Sequence, residues 1–162
     1  MAAAPTELPE HGVGFFLSTL GYRSHELWEG RLAPLGLSSR QANMLLQVAA
    51  AEGRPQLDLA RALRIPPSRV VSLVDDLERR RLLRRRGDPT DRRVRTLHLT
   101  SPGRHMVSRL AAIVAAHEEE LSLGLEAAER QQLLHLLRKA ATGLGLSSTA
   151  HSGLAGREWK RS

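Results

Sequence analysis

Apolar residues recur at helical spacing over most of this chain. From Val13 they fall at 13, 16, 17, 20, 27, 28, 32 and 35, the three-and-four spacing of an amphipathic helix, with Pro34 and Gly36 closing it. Ser38 stands three residues before Gln41, the capping-box interval, and opens a second helix whose inward stripe reads Met44, Leu45, Val48 and Ala49. Glu52-Gly53-Arg54-Pro55 ends it, and a short third helix, Gln56 to Leu63, turns Leu59, Ala60 and Leu63 inward. After Arg64-Ile65-Pro66-Pro67-Ser68 a fourth helix runs to about Arg80, with Val70, Leu73, Val74 and Leu77 as its apolar stripe. Its opposite face carries Ser68, Ser72, Asp75 and Arg79, with Arg69 and Asp76 at the edges. Two helices joined by a tight turn, the second polar and basic outward, form a helix-turn-helix pattern.

The period then changes. Leu82 to Arg86 and Val94 to Leu99 read as two short strands, the second alternating Val94, Thr96 and His98 against Arg95, Leu97 and Leu99. Gly87-Asp88-Pro89-Thr90-Asp91-Arg92-Arg93 between them supplies turn formers, so the segment predicts a β-hairpin. Thr100 or Ser101 caps a further helix through Met106, Val107, Leu110, Ile113 and Val114 to about Leu123. A last helix, about Glu126 to Leu144, carries Leu133, Leu134, Leu136, Leu137, Ala140 and Ala141. Residues 1–11 read as a loose leader and 146–162, rich in Ser, Gly and Ala, as a mobile tail. The expected class is mainly α with a small β-hairpin.

Composition narrows the partner. Aromatics make up 3% of the chain, so the core must come from Leu, Val and Ala. The net charge is +7 and the isoelectric point about 11.2, which suits a polyanion. Lys139 and Lys160 are the only lysines, and nine arginines lie between Arg79 and Arg95. Genomic base composition could explain arginine over lysine, but it does not explain that clustering. The absence of cysteine excludes a disulfide framework, a thiolate zinc site and a cysteine redox sensor. The histidines show no metal-ligand spacing; His105 and His117 lie roughly 18 Å apart along one helix. There is no glycine-rich phosphate loop, nucleophile elbow or framed pair of carboxylates, so no enzyme, catalytic residue, metal or cofactor is expected. With no apolar run of membrane-span length and no signal-peptide order at the N-terminus, the expectation is a cytoplasmic protein without a membrane partner.

Order and residues together resemble the multiple-antibiotic-resistance regulator (MarR) family of bacterial transcription factors. The resemblance is carried by GLSSRQANMLLQVA, LDLARAL, PPSRVVSLVDDLERRRLL and DPTDRRVRTLHLTSPG, most specifically by Asp91-Arg92-Arg93 leading into Leu-Thr-x-x-Gly, and it covers roughly residues 12 to 145. It implies a winged helix-turn-helix over 37–100, flanked at 12–36 and 101–145 by helices that dimerise. A homodimer would bind a pseudopalindromic double-stranded operator, as a repressor relieved by a small molecule. The apolar content of the terminal helices points to such an interface independently; their folding back onto their own domain is the competing reading. An alternative use of the fold is a winged helix for protein or RNA contact.

By the resemblance the fourth helix enters the major groove, placing Ser68, Arg69 and Ser72 near base edges or phosphates, with Arg79 further along the same face. Arg69 could pair bidentately with guanine, worth about 1–3 kcal/mol of discrimination, or clamp a phosphate. Arg92 and Arg93 sit where a hairpin tip reaches the minor groove, with Arg93 the family's inserted arginine. Asp91 would orient it, and Asp75 on the recognition helix would brace it. Arg84, Arg85, Arg86 and Arg95 would divide between phosphates and solvent. Two departures stand out: Arg81 replaces a glycine usual at a helix C-cap, and Val71, Ser72 and Asp76 replace more polar or basic readers. The family's ligand region maps to Phe16, Tyr22, Arg23, Trp28, Met44 and Met106, for each of which simple core packing is the competing role.

Overall fold

The computed structural model describes residues 11–63, 65–91 and 93–146. The leader through residue 10, the tail from 147 and Arg92 lie outside the described residues. Six helices and one hairpin follow in order: α1 (Val13–Leu32) with a 3-10 turn (Ala33–Leu35), α2 (Ser39–Ala50), α3 (Gln56–Leu63), α4 (Pro67–Arg79), β1 (Leu83–Gly87), β2 (Arg95–Leu99), α5 (Ser101–Leu121) and α6 (Ala127–Gly143). No helix among the described residues is long and apolar enough to cross a membrane.

The local chemistry explains the boundaries. The Ser38 hydroxyl accepts the Gln41 N–H while the Gln41 side chain accepts the Ser38 N–H, completing the capping box of α2. Pro67, with no N–H to leave unpaired, begins α4. Thr100 caps α5 by accepting the Gly103 N–H at 3.0 Å. Gly103 is required by close approach, because a Cβ there would lie 1.9 Å from the Leu82 carbonyl oxygen. Packing α5 so tightly on the strand entry seats the hairpin against the helical body.

Arg81 bears the left-handed backbone itself, at φ 57°. It donates its N–H to the Glu78 carbonyl, and Leu82 donates to the Leu77 carbonyl, both at 2.8 Å. These are the paired bonds of a Schellman cap, which normally has glycine at the residue Arg81 occupies. Leu82 follows it into the core.

The core is one cluster, drawn from the end of α1, from α2, α3 and α4, from both strands, and from Leu110 of α5. Ala49, expected inward, is exposed; Ser39 and Ala42 are buried instead, so the buried stripe of α2 lies nearer its N-terminal end. The strands pair antiparallel with Leu83 opposite Leu99 and Arg85 opposite Leu97. A third segment extends the hairpin: Gly53 donates to the Leu97 carbonyl and Leu97 to that of Arg54, beside a bridge from Pro55 to Thr96. In contrast, α6 buries no residue, and the apolar side chains Val13, Phe15, Phe16, Leu17 and Leu20 of α1 are exposed.

Candidate nucleic-acid interface

Three elements build one basic surface: the outer face of α4, the hairpin beside it, and the loop at the hairpin tip. Ser68, Arg69, Ser72, Asp75 and Arg79 are all exposed on α4. The Ser72 hydroxyl donates to the Ser68 carbonyl at 3.2 Å, so its one proton is engaged within the helix. Arg79 pairs with Asp76 one turn earlier.

The residue that joins helix to hairpin is Arg85. Its guanidinium meets the Asp75 carboxylate at 2.6 Å and the Glu78 carboxylate, and donates to Gln56 Oε1 at 2.9 Å and to the Val71 carbonyl at 3.3 Å. Its backbone N–H donates to Glu78 Oε1 at 2.6 Å. Only 22% of the side chain is exposed, so this is an internal tie, and not the phosphate or solvent contact expected of the 84–86 run. Asp75 is likewise bonded to Arg85, whereas the expected partner was Arg93. The pleat gives the reason: alternate residues share a face, so Arg85 points with buried Leu83 toward the body while Arg84 and Arg86 point out. That parity was present in the sequence and is the signal that would have singled out Arg85.

The tip is held by carboxylates. Asp88 accepts the Thr90 N–H at 2.8 Å, the Thr90 hydroxyl and the Asp91 N–H at 3.3 Å. These bonds, that from the Thr90 hydroxyl foremost, hold its carboxyl below the ordinary range. Asp91 acts on Arg93 through the main chain, its Oδ1 accepting the Arg93 N–H at 2.9 Å. The turn therefore presents the Arg93 side chain outward, where it is exposed. Between α3, α4 and the hairpin lies an open cleft of about 600 Å³, bordered by Pro55, Val71, Asp75, Arg85, Arg93 and Val94.

Further contacts connect this surface to the terminal helices. Glu52 receives Arg104 of α5 through both guanidinium nitrogens, at 2.6 and 3.1 Å, and accepts the Leu99 N–H at 3.1 Å. The Arg104 hydrogen bonds hold the Glu52 carboxyl below its ordinary value. Arg80 at the end of α4 donates to the Gly36 and Leu35 carbonyls at 2.8 and 3.1 Å, and Arg31 of α1 pairs with Glu120 of α5.

Of the six residues of the expected ligand region, three share the core cluster and three lie on the surface of α1. Met44 is fully buried core, and Met106 and Trp28 pack against that core. The Trp28 ring also meets His117, centroids 5.4 Å apart. Phe16, Tyr22 and Arg23 lie exposed on α1.

A helix-turn-helix whose second helix is open along one face, beside a pinned arginine-bearing hairpin, is a winged helix-turn-helix protein. The MarR family model matches residues 35–94. Transcriptional repressor CouR, solved bound to a 23-mer DNA duplex, is 34% identical, with 87% of this chain and 99% of that one covered and a TM-score of 0.74. CouR from Rhodococcus jostii RHA1 bound to p-coumaroyl-CoA is 31% identical, with 84% and 96% covered and a TM-score of 0.71. The "Putative transcriptional regulatory protein for hcr operon" of Thauera aromatica is 35% identical over 104 residues, 64% of this chain; the match spans 63% of that relative's own length. The chain belongs to the MarR family.

Proposed function

We propose that this protein is a cytoplasmic, homodimeric transcriptional regulator that binds a pseudopalindromic DNA operator and represses until a small molecule releases it. The observation that carries the reading is the exposed face of α4, with Ser68, Arg69, Ser72 and Arg79, set beside a hairpin that presents Arg93. In this reading residues 37–100 are the DNA-binding unit. Arg93, with Arg92 as companion, enters the minor groove; Asp91 shapes the turn behind it, and Asp75 positions the hairpin through Arg85. The spans 12–36 and 101–145 dimerise, because a second copy covers the apolar residues that α1 and α6 leave exposed. No cofactor, metal or catalytic step is part of it. The p-coumaroyl-CoA complex of CouR supports an aromatic anionic effector.

Arg93→Ala tests the mechanism. Gel-shift titration beside sedimentation is expected to show a weakened complex from an intact dimer, with the salt slope reduced by about one. Undiminished affinity in an intact dimer would count against it.

A further inference from the structure

Val71 is the single large apolar side chain of α4 left exposed among the described residues, at 42%. It lies one turn from Ser68 and one turn from Asp75, at the edge of the open face that looks toward the hairpin, where it borders the cleft with Arg85, Arg93 and Val94. A β-branched residue on a helix surface gains nothing for the helix, since its branched Cβ is confined against the preceding turn. Nor does it belong to the core cluster or to the apolar residues packed on it. The duplex surface that such a helix faces has one apolar feature in the major groove, the C5 methyl of thymine.

We propose that Val71 reads a thymine in each half-site by methyl contact, so that this position of the operator is specified by an apolar group and not by a hydrogen bond. The inference rests on the DNA-binding reading above. Three observations place the side chain. Pro67 and Ser68 lie one turn before it and are short, which lets the helix approach the base edges closely, and Asp75, one turn after it, is drawn to Arg85 of the hairpin. Its own carbonyl accepts from Arg85, at 3.3 Å, so its turn of helix is tied to the hairpin rather than free to shift. Its confined χ1 holds the two methyls in one direction. Beside it, the engaged proton of Ser72 leaves that hydroxyl chiefly as an acceptor, while Arg69, exposed and in no ion pair among the described residues, is free to donate to guanine. The half-site contact is thereby divided between a donor and a methyl reader.

The test begins with full-length protein and a random duplex pool. Each thymine of the enriched sequence is then replaced, one at a time, by deoxyuridine, which pairs identically but lacks the methyl. One thymine per half-site is expected to lose about fourfold in affinity for the wild type, the worth of one buried methyl. The same replacement is expected to leave Val71→Ala unchanged, and 5-methylcytosine–guanine at that position is expected to outbind cytosine–guanine for the wild type alone. Val71→Ala is an exposed change to a better helix former, so folding is preserved. A symmetric motif in which no methyl depends on residue 71 would overturn the assignment and leave the regulator reading standing. Failure to enrich any duplex would sink that reading and this one with it.

Discussion

The winged unit and the terminal helices are built from the same few residue types and meet opposite fates. Of the 18 buried apolar residues among those described, all but Leu32, Leu35 and Leu110 lie between Leu37 and Leu99. The leucines of α6, namely Leu133, Leu134, Leu136 and Leu137, are all exposed. Full burial of such a side chain is worth about 1.5–3 kcal/mol, so the winged unit closes its own core while α6 leaves that free energy uncollected. A helix with an unburied apolar stripe needs a partner surface, and a second copy offers an identical one. Stability within the chain and the association proposed between chains are thus separable properties of two regions.

The largest effect expected within that contrast is Leu77→Ala. It empties a fully buried site on α4 and should cost about 2–5 kcal/mol, lowering the melting midpoint by roughly 5–15 °C in calorimetry. A loss as small as that of an exposed leucine would dissolve the distinction. Next in size, Leu133→Glu with Leu137→Glu should convert the proposed dimer to monomer in sedimentation and weaken duplex binding by roughly a hundredfold through lost bivalency. The circular dichroism of the winged unit should be retained; an unchanged mass would place the interface elsewhere. Smaller and opposite in sign, Arg81→Gly should stabilise by about 1 kcal/mol, because glycine takes the left-handed cap without the side-chain clash. A lowered midpoint would mean that the arginine side chain contributes more than its backbone costs.

Smallest is the contact between the two regions. Glu52→Gln removes the anionic partner of Arg104 and should lower the midpoint by about 1–3 °C at neutral pH. The folded pKa of Glu52 is depressed below its ordinary 4.5, so the unfolded chain binds more protons in the acid range. Its stabilising effect is therefore present above that value and lost as pH falls through the folded pKa. The wild-type and Glu52→Gln midpoints should converge on acidification, and a gap that persisted well below pH 4 would exclude the ion pair as its source.

Much of this was legible along the chain. The capping box at Ser38, the apolar stripe of α4, the hairpin and its Gly-Asp-Pro-Thr-Asp turn all depend on neighbours within a few residues. The strand limits shifted by one residue: Leu82 is taken up by the cap of α4, its N–H bonding the Leu77 carbonyl, and at the turn the first paired residue is left open by the turn chemistry. Ala49 lay at the edge of a stripe that periodicity cannot centre without knowing where α5 packs. The arginines were harder: alternation from Leu83 marks Arg85 as the inward one of three identical residues, but only the packing shows that it meets Asp75, Glu78 and Gln56.

By itself, then, the sequence determined the elements and their order. Periodicity, caps and turn residues act through the local backbone, and their spacing is read directly. The partners of charges distant in the chain were decided by the tertiary structure alone. Arg85, Gln56, Glu78 and Asp75 are brought together by the packing of the hairpin against α3 and α4. The same packing leaves Val71 at the open edge of α4. Charge–charge contacts act over a few ångströms in space, and beyond a single helical turn, such as that from Asp76 to Arg79, no spacing in the chain encodes which side chains will share them.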